Sequence, residues 1–233
     1  MVVWVRPAFP HDMSHMTETQ EQKNKTPEQI QAEKAKLLAD KRESEFNHHL
    51  CGFLILLAGI FLLAQDSLKK RWPGVRFIWP ACFLLSGLFV LIFSDTEMWP
   101  FGSMPILYAL QNRPEDLQHK IFAVILLAIG VIELKRAQGK LNAAWSAWVF
   151  PVVALAGAIL LLFHVHDAGM NGPDAMKIMM HIQNQHRAFA AVGAALALCK
   201  GLSETTNRYR GFFGKMWPIL MMTLGVLLIL YTE

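Results

Sequence analysis

Three histidines of this chain head three similar segments, and a proline and a polar residue follow each of them at fixed distances. His48, Pro80 and Asp95 recur as His119, Pro151 and His166, and again as His186, Pro218 and Glu233. The proline follows the histidine by 32 residues in every segment, and the last position follows the proline by 15. Imidazole and carboxylate groups bind transition metals, so a fold that gathered these positions would create a metal site.

The residues around the three histidines are also alike. An amide precedes each histidine and a basic or imidazole side chain follows it, in Asn47-His48-His49, Gln118-His119-Lys120 and Gln185-His186-Arg187. The neighbouring apolar residues differ between the segments. This pattern favours a shared role for the three histidines over three unrelated helix ends. The preceding amides are candidates to orient the imidazoles through hydrogen bonds.

Long apolar stretches must position these residues. Hydrophobic residues make up 54% of the 233 positions, and a bilayer core requires about 17 to 25 mainly apolar residues per helix. The apolar windows cover about 50–65, 77–94, 120–137, 144–163, 187–202 and 214–231. The sequence therefore predicts an all-α integral membrane protein with six transmembrane helices. The repeats 48–95, 119–166 and 186–233 predict that these helices form three pseudo-repeated helical hairpins.

The N-terminal part of the chain has a different composition. Residues 1–46 are predicted to be an extramembrane tail, and residues 47–233 the six-helix membrane domain. The tail lacks the features of a cleaved secretory signal, so we expect it to be retained. Thr26, Pro27 and Gln29 are typical of a helix start with a capping box, which predicts an extramembrane helix over about 27–46.

Positive charges predict the orientation of the helices. The loops after the first, third and fifth apolar windows carry eleven basic residues: Lys69, Lys70, Arg71, Arg76, Lys135, Arg136, Lys140, Lys200, Arg208, Arg210 and Lys215. Because positive loops stay in the cytoplasm, we predict a bacterial inner-membrane protein with both termini in the periplasm. The basic loops account for the net charge of +4, so this charge reflects the membrane topology. The sequence does not favour a nucleic-acid partner.

Each proline of the repeat follows an aromatic residue: Trp79, Phe150 and Trp217. Proline is tolerated in the first turn of a helix, where its missing amide hydrogen has no intrahelical partner. Aromatic rings are enriched at the membrane interface. We therefore predict that these three rings lie at headgroup depth on the cytoplasmic side.

With this topology, all six polar repeat positions lie at the periplasmic mouth of the bundle. The predicted metal ligands are His48, His119, His186, Asp95, His166 and Glu233, together with His164, His49, Asp167, Met170 and His181. Cys51 lies one helical turn below His48 and could add a thiolate. Imidazole and thioether together suit copper, because imidazole serves Cu(II) and thioether prefers Cu(I). Zinc, iron and haem b held by two histidines are the alternative cofactors.

These residues predict copper capture, delivery or transport, with a periplasmic metal donor or acceptor as a partner besides the lipid bilayer. Few polar groups lie deeper in the apolar windows, which favours capture or delivery over a conduit. One alternative is a membrane-embedded metalloenzyme or redox subunit, so the sequence leaves open whether the protein is an enzyme, and it assigns no catalytic residue. Another is a structural subunit of a larger membrane complex.

Overall fold

The computed structural model describes residues 26–95, 98–99, 101–163 and 175–233, and these residues are helical apart from turns and one isolated bridge between Met98 and Met104. The α-helices are α1 (Pro27–Leu68), α2 (Ile78–Phe93), α3 (Ile106–Asn112), α4 (Pro114–Ala137), α5 (Ser146–Leu162), α6 (Ala175–Thr205) and α7 (Arg210–Ile229). Short 3-10 helices, Pro73–Phe77 and Asn207–Tyr209, precede α2 and α7. The predicted all-helical class is confirmed for the described residues.

Within the described part of the chain, five helical stretches are long and apolar enough to cross a bilayer: Pro27–Leu68, Pro73–Phe93, Asp116–Ala137, Met176–Thr205 and Asn207–Ile229. Helix α5 is also apolar but shorter, at 17 residues. A bilayer core requires about 17 to 25 residues of helix, so α5 is at the lower limit. The helices indicate a multi-pass membrane protein.

Helix α1 begins with the hydrogen bonds of a capping box. The Thr26 amide donates to Gln29 Oε1 at 2.9 Å, and the Gln29 amide donates to Thr26 Oγ1 at 3.3 Å. Pro27 at the first helical position loses no intrahelical bond. The helix then continues without interruption to Leu68. The chain divides into two units, residues 1–41 and 42–233, and all contacts described below lie within the second.

Small residues allow helices of the second unit to approach closely. A Cβ atom on Gly225 of α7 would lie 2.6 Å from Leu56 N and 2.8 Å from Gly52 O, both on α1. A Cβ atom on Gly87 of α2 would lie 2.8 Å from Leu127 N of α4. Helices α5 and α6 also contact each other. Close approach of backbones is a common way for membrane helices to associate.

The aromatic rings that precede the three prolines lie together in the core. Trp79, Phe150 and Trp217 are almost fully buried. Their ring centroids are 5.6 to 6.4 Å apart and their planes are steeply inclined, as in favourable edge-to-face pairs. Our interpretation of these rings as an interfacial belt is therefore wrong. Each ring is covered by the other two, since three helices direct them to the same point.

Candidate functional site

Two of the three repeat histidines are neighbours. His48 lies on α1 and His186 on α6, and their ring centroids are 5.8 Å apart with the planes at 80°. His186 is only 2% exposed, whereas His48 is partly exposed. Phe189, one turn further along α6, contacts both imidazoles. A buried polar ring at this position requires hydrogen-bond partners, because desolvation without them is unfavourable.

A tyrosine completes the cluster. The ring of Tyr231 is fully buried and stacks on His48, with centroids 3.9 Å apart and planes at 23°. His186 meets the same tyrosine edge-on at 5.6 Å. Tyr231 follows α7 directly, so the cluster joins α1, α6 and the C-terminal end of α7. We call His48, His186, Phe189 and Tyr231 the histidine cluster.

Glu233 binds to the rim of the histidine cluster. Its Oε1 atom accepts hydrogen bonds from Ser44 Oγ at 2.5 Å and from Tyr231 OH at 2.8 Å. Its backbone amide donates to Glu45 Oε1 at 3.0 Å. The final residue of the chain is thus fixed beside His48 by α1. A carboxylate held by hydroxyl donors stays available to a cation through its remaining lone pairs.

The third repeat histidine has a separate partner. His119 Nδ1, near the start of α4, donates to both oxygens of Asp95, at 3.0 and 3.2 Å. Asp95 follows α2 with a positive φ of 54°, a conformation that Asp and Asn adopt more readily than most residues. Burial alone would raise the pKa of Asp95. Contacts with His119, a hydrogen bond from Ser94 and the charge of Lys120 lower this pKa below its usual value.

All three repeat histidines donate a hydrogen bond from the same nitrogen. His48 Nδ1 donates to Ser44 O at 2.8 Å, and His186 Nδ1 donates to Ile182 O at 3.0 Å, each four residues back along its own helix. A carbonyl oxygen can only accept, so Nδ1 carries the proton in both rings. His119 donates from Nδ1 to a carboxylate instead. In the neutral imidazole, Nε2 is then the nitrogen that can bind a metal ion.

The residues after His48 and His119 bind the ends of neighbouring helices. Lys120 Nζ donates to Leu91 O at 3.0 Å and also to Ser94 O, at the C-terminal end of α2. His49 Nε2 donates to Tyr231 O at 2.9 Å, just beyond α7. The last carbonyls of a helix lack intrahelical donors, and cations near them are favourable. The contacts of these two residues are thus primarily structural.

A second set of polar contacts surrounds the chain end. Gln185 Nε2 donates to Thr232 O at 2.7 Å, and the Thr232 amide donates to Gln185 Oε1 at 3.1 Å. His181 Nε2 lies 3.2 Å from Thr232 Oγ1. Gln185 was a candidate to orient His186, but these contacts direct its amide group to the backbone of the chain end. His181 lies one helical turn before Gln185 on α6.

The structure assembles part of the predicted ligand set. His164, His166, Asp167 and Met170 lie outside the described residues. Within the described ranges, no group of three His, Cys, Asp or Glu side chains is placed to hold a metal ion. The histidine cluster brings together His48 and His186 with Glu233 at its rim, while His119 pairs with Asp95. Cys51 is partly exposed, lies one turn from His48 and forms no disulfide.

Tyr231 is the main site residue that sequence reasoning missed. The repeat contains a signal for it, because Phe93, His164 and Tyr231 each lie two residues before the last repeat position. In the described residues Tyr231 contacts another hairpin through His48, whereas Phe93 is exposed and stacks on Phe89 of its own helix. The aromatic character of the position could have suggested stacking on a repeat histidine.

The helices place this molecule in the class of α-helical multi-pass membrane proteins, and the histidine cluster is its candidate site. Comparisons with protein-family models, with curated proteins and with solved structures give no significant match. The function must therefore be argued from the residues themselves.

Proposed function

We propose that this protein is a bacterial inner-membrane protein that binds a metal ion, with copper as the first candidate, at the end of the bundle that carries the repeat histidines. In this proposal α1–α2, α4–α5 and α6–α7 are three pseudo-repeated hairpins that supply six membrane spans. The part of α1 before residue 47 extends outside the bilayer. Both termini are periplasmic, because the opposite loops carry eleven of the fifteen basic residues that follow residue 46.

Equivalent helix contacts support the pseudo-repeat. Gly87 follows His48, and Gly225 follows His186, by the same 39 residues. Gly87 contacts Ala123 and Leu127 on α4, whereas Gly225 contacts Gly52 and Leu56 on α1. Ala123 and Gly52 each follow their repeat histidine by four residues, and the two leucines by eight. Each contact joins the second helix of one hairpin to the first helix of another, as a cyclic arrangement requires.

The mutual contact of Trp79, Phe150 and Trp217 supports the same arrangement. These residues are equivalent in the three segments, and each ring contacts the other two. Equivalent positions meet at one point when the segments surround a common axis. Because these large rings fill the centre of the bundle, they favour capture or delivery of an ion over passage along the axis.

One observation carries the metal proposal: the three repeat histidines share the same hydrogen-bonding arrangement, with Nδ1 donating to an oxygen. In protein metal sites, a ligating histidine commonly donates its other ring N–H to a carbonyl or carboxylate, which fixes its tautomer and orientation. For His119, the acceptor is the carboxylate of Asp95. For His48 and for His186, the acceptor is a backbone carbonyl of the same helix.

The spacing of His48 and His186 is compatible with one shared ion. Metal–nitrogen bonds of about 2.0 to 2.1 Å place two imidazole centroids roughly 5 to 6.4 Å apart for tetrahedral to linear ligation. The observed separation is 5.8 Å. Glu233 lies at the rim of the cluster, but among the described residues it does not form a three-ligand group with the two histidines. Copper is favoured because α6 also exposes the thioethers of Met176, Met179 and Met180 in the turns before His181.

The decisive experiment is elemental analysis with an optical spectrum on detergent-purified protein. We expect near-stoichiometric copper in the wild type, its loss in His48→Ala and His186→Ala, and weaker binding in His119→Ala. Asn184→Ala is the matched control, because Asn184 is an exposed polar residue on α6 close in sequence to His186. Retention of metal in two of the three histidine variants would contradict the shared site. A Soret band in the spectrum of the wild type would show that the bound cofactor is haem b and not copper.

A further inference from the structure

A cavity of about 520 Å³ lies at the end of the bundle opposite the histidine cluster. Its walls come from the last turns of α4 and α6, from Gln65 on α1 and from the segment 141–147 that leads into α5. Trp79 and Trp217 line it as well. Its volume is within the roughly 300 to 1,000 Å³ range of pockets that bind small organic ligands.

Among the described residues, three cationic side chains and one carboxylate line the cavity. The cations are Arg76, Arg136 and Lys200, and the carboxylate is Glu133. Behind this lining, Glu204 binds Arg136 at 3.4 Å and Lys200 at 2.5 Å. These five groups leave one net positive charge when all are ionised. The cavity therefore favours an anionic ligand.

Two of the three cationic groups are held in defined positions. Arg136 Nη1 donates to Glu133 Oε1 at 2.9 Å, which leaves other guanidinium N–H groups for an anion. Lys200 is only 7% exposed, and its Nζ atom lies 4.7 Å from the ring centre of Trp217. A buried ammonium group loses much of its hydration, so an added anionic partner would interact strongly with it.

The cavity also presents hydrogen-bond acceptors. Gln65 Oε1 is buried and has no hydrogen-bond partner among the described residues. Glu133 is 4% exposed, and its carboxylate adds more acceptor capacity. A simple anion such as inorganic phosphate monoanion offers few donors to such groups. A ligand that combines a negative charge with several hydroxyl groups would satisfy both the cations and the acceptors.

We propose that this cavity binds a hydroxyl-bearing phosphate ester. The shared chemistry is a glycerol phosphate or a similar polyol phosphate, carried by an anionic lipid headgroup or by a soluble metabolite. The phosphate would contact Lys200, Arg136 and Arg76, and the hydroxyl groups would donate to Gln65 and Glu133. Basic pockets at the ends of membrane helices are known to bind anionic headgroups.

Binding can be tested with purified full-length protein and two probes. Native mass spectrometry with phosphatidylglycerol against phosphatidylcholine tests the lipid source, and calorimetry with soluble glycerol 3-phosphate tests the metabolite source. We expect selective retention of phosphatidylglycerol, saturable binding of glycerol 3-phosphate, or both. The proposal is overturned if phosphatidylglycerol is retained no better than phosphatidylcholine and glycerol 3-phosphate gives no saturable binding.

Variants localise the binding. Ala147→Phe fills the cavity and leaves every charge in place, since Ala147 lines the wall. Lys200→Gln removes the buried ammonium group, and Lys135→Gln is the control because Lys135 is an exposed cation beside Arg136 that does not line the cavity. We expect at least a tenfold loss of affinity in Ala147→Phe and Lys200→Gln and no change in Lys135→Gln. Equal losses in Lys135→Gln, or unchanged binding in Ala147→Phe, would show nonspecific attraction to the basic face.

Discussion

The phenol ring of Tyr231 stacks on the imidazole of His48 at a centroid distance of 3.9 Å, while its hydroxyl donates to Glu233 Oε1. One side chain thereby links a repeat histidine of α1 to the carboxylate at the end of the chain. The ring supplies buried apolar area, and the hydroxyl supplies a hydrogen bond. These two contributions can be separated by mutation.

Tyr231→Phe should lower the free energy of unfolding by about 1 kcal/mol, because it removes one hydrogen bond and keeps the stack. Tyr231→Ala should lower it by about 3 to 5 kcal/mol, because it also leaves a cavity beside His48. Reversible unfolding in detergent measures both changes. Equal effects of the two variants would mean that stacking on His48 contributes little.

Replacing Gly225 tests the close approach of α7 to α1. A methyl group there would lie 2.6 Å from Leu56 N, so Gly225→Ala forces the helices apart. We expect destabilisation of about 1 to 3 kcal/mol, as for other overpacked cores. Gly214→Ala on the same helix is the control, because no atom would lie within 4 Å of its Cβ. Thermal unfolding should distinguish the two variants, and equal melting temperatures would contradict the tight contact.

The contact between Asp95 and His119 predicts that the stability of the folded protein depends on pH in the acidic range. Contacts with His119, Ser94 and Lys120 hold the pKa of Asp95 below its usual value although burial opposes this. A depressed carboxyl pKa stabilises the fold above the unfolded value of about 3.9, and the stabilisation is lost as pH falls through the folded pKa. Wild-type protein should therefore lose stability more steeply than Asp95→Asn below about pH 4.

Asn at position 95 keeps the tolerance for positive φ, so the comparison isolates the charge. Melting curves between neutral and acidic pH provide the measurement. The prediction is wrong if the wild type and Asp95→Asn have parallel pH profiles.

Lys120 is predicted to stabilise the end of α2. Its ammonium group donates to Leu91 O and Ser94 O, which have no intrahelical donor at that position. Lys120→Met keeps the length of the side chain and should cost about 1.5 to 3 kcal/mol, the range for a hydrogen bond to a charged group. Hydrogen exchange of the segment 90–95 should accelerate in this variant. Lys135→Met, which changes an exposed cation on the same helix, should leave that exchange unchanged.

The main elements of the fold could be predicted because hydropathy and helix-start signals are local. The apolar windows near 77–94 and 120–137 correspond closely to the spans Pro73–Phe93 and Asp116–Ala137. The start of α1 follows from Thr26, Pro27 and Gln29, which are adjacent in the sequence. Such signals depend on a few neighbouring residues and on the thickness of a bilayer.

The partners of the site residues could be predicted only in part. The repeat identified His48, His119 and His186 as related, and they share the donation from Nδ1. It did not reveal that His48 would meet His186 and Tyr231 while His119 would meet Asp95. The rotation of each helix about its own axis decides such neighbours, and rotation depends on packing between distant segments.

The sequence by itself determined that this chain forms apolar helices able to cross a membrane and that related histidines lie near the ends of the apolar stretches, because composition and spacing are properties of the chain alone. Only the tertiary structure decided that Trp79, Phe150 and Trp217 turn inward and contact one another. It alone also placed Tyr231 on His48 and formed the cavity lined by Arg136 and Lys200. These contacts join residues far apart in sequence, so they form only when close helix packing fixes the orientation of each side chain.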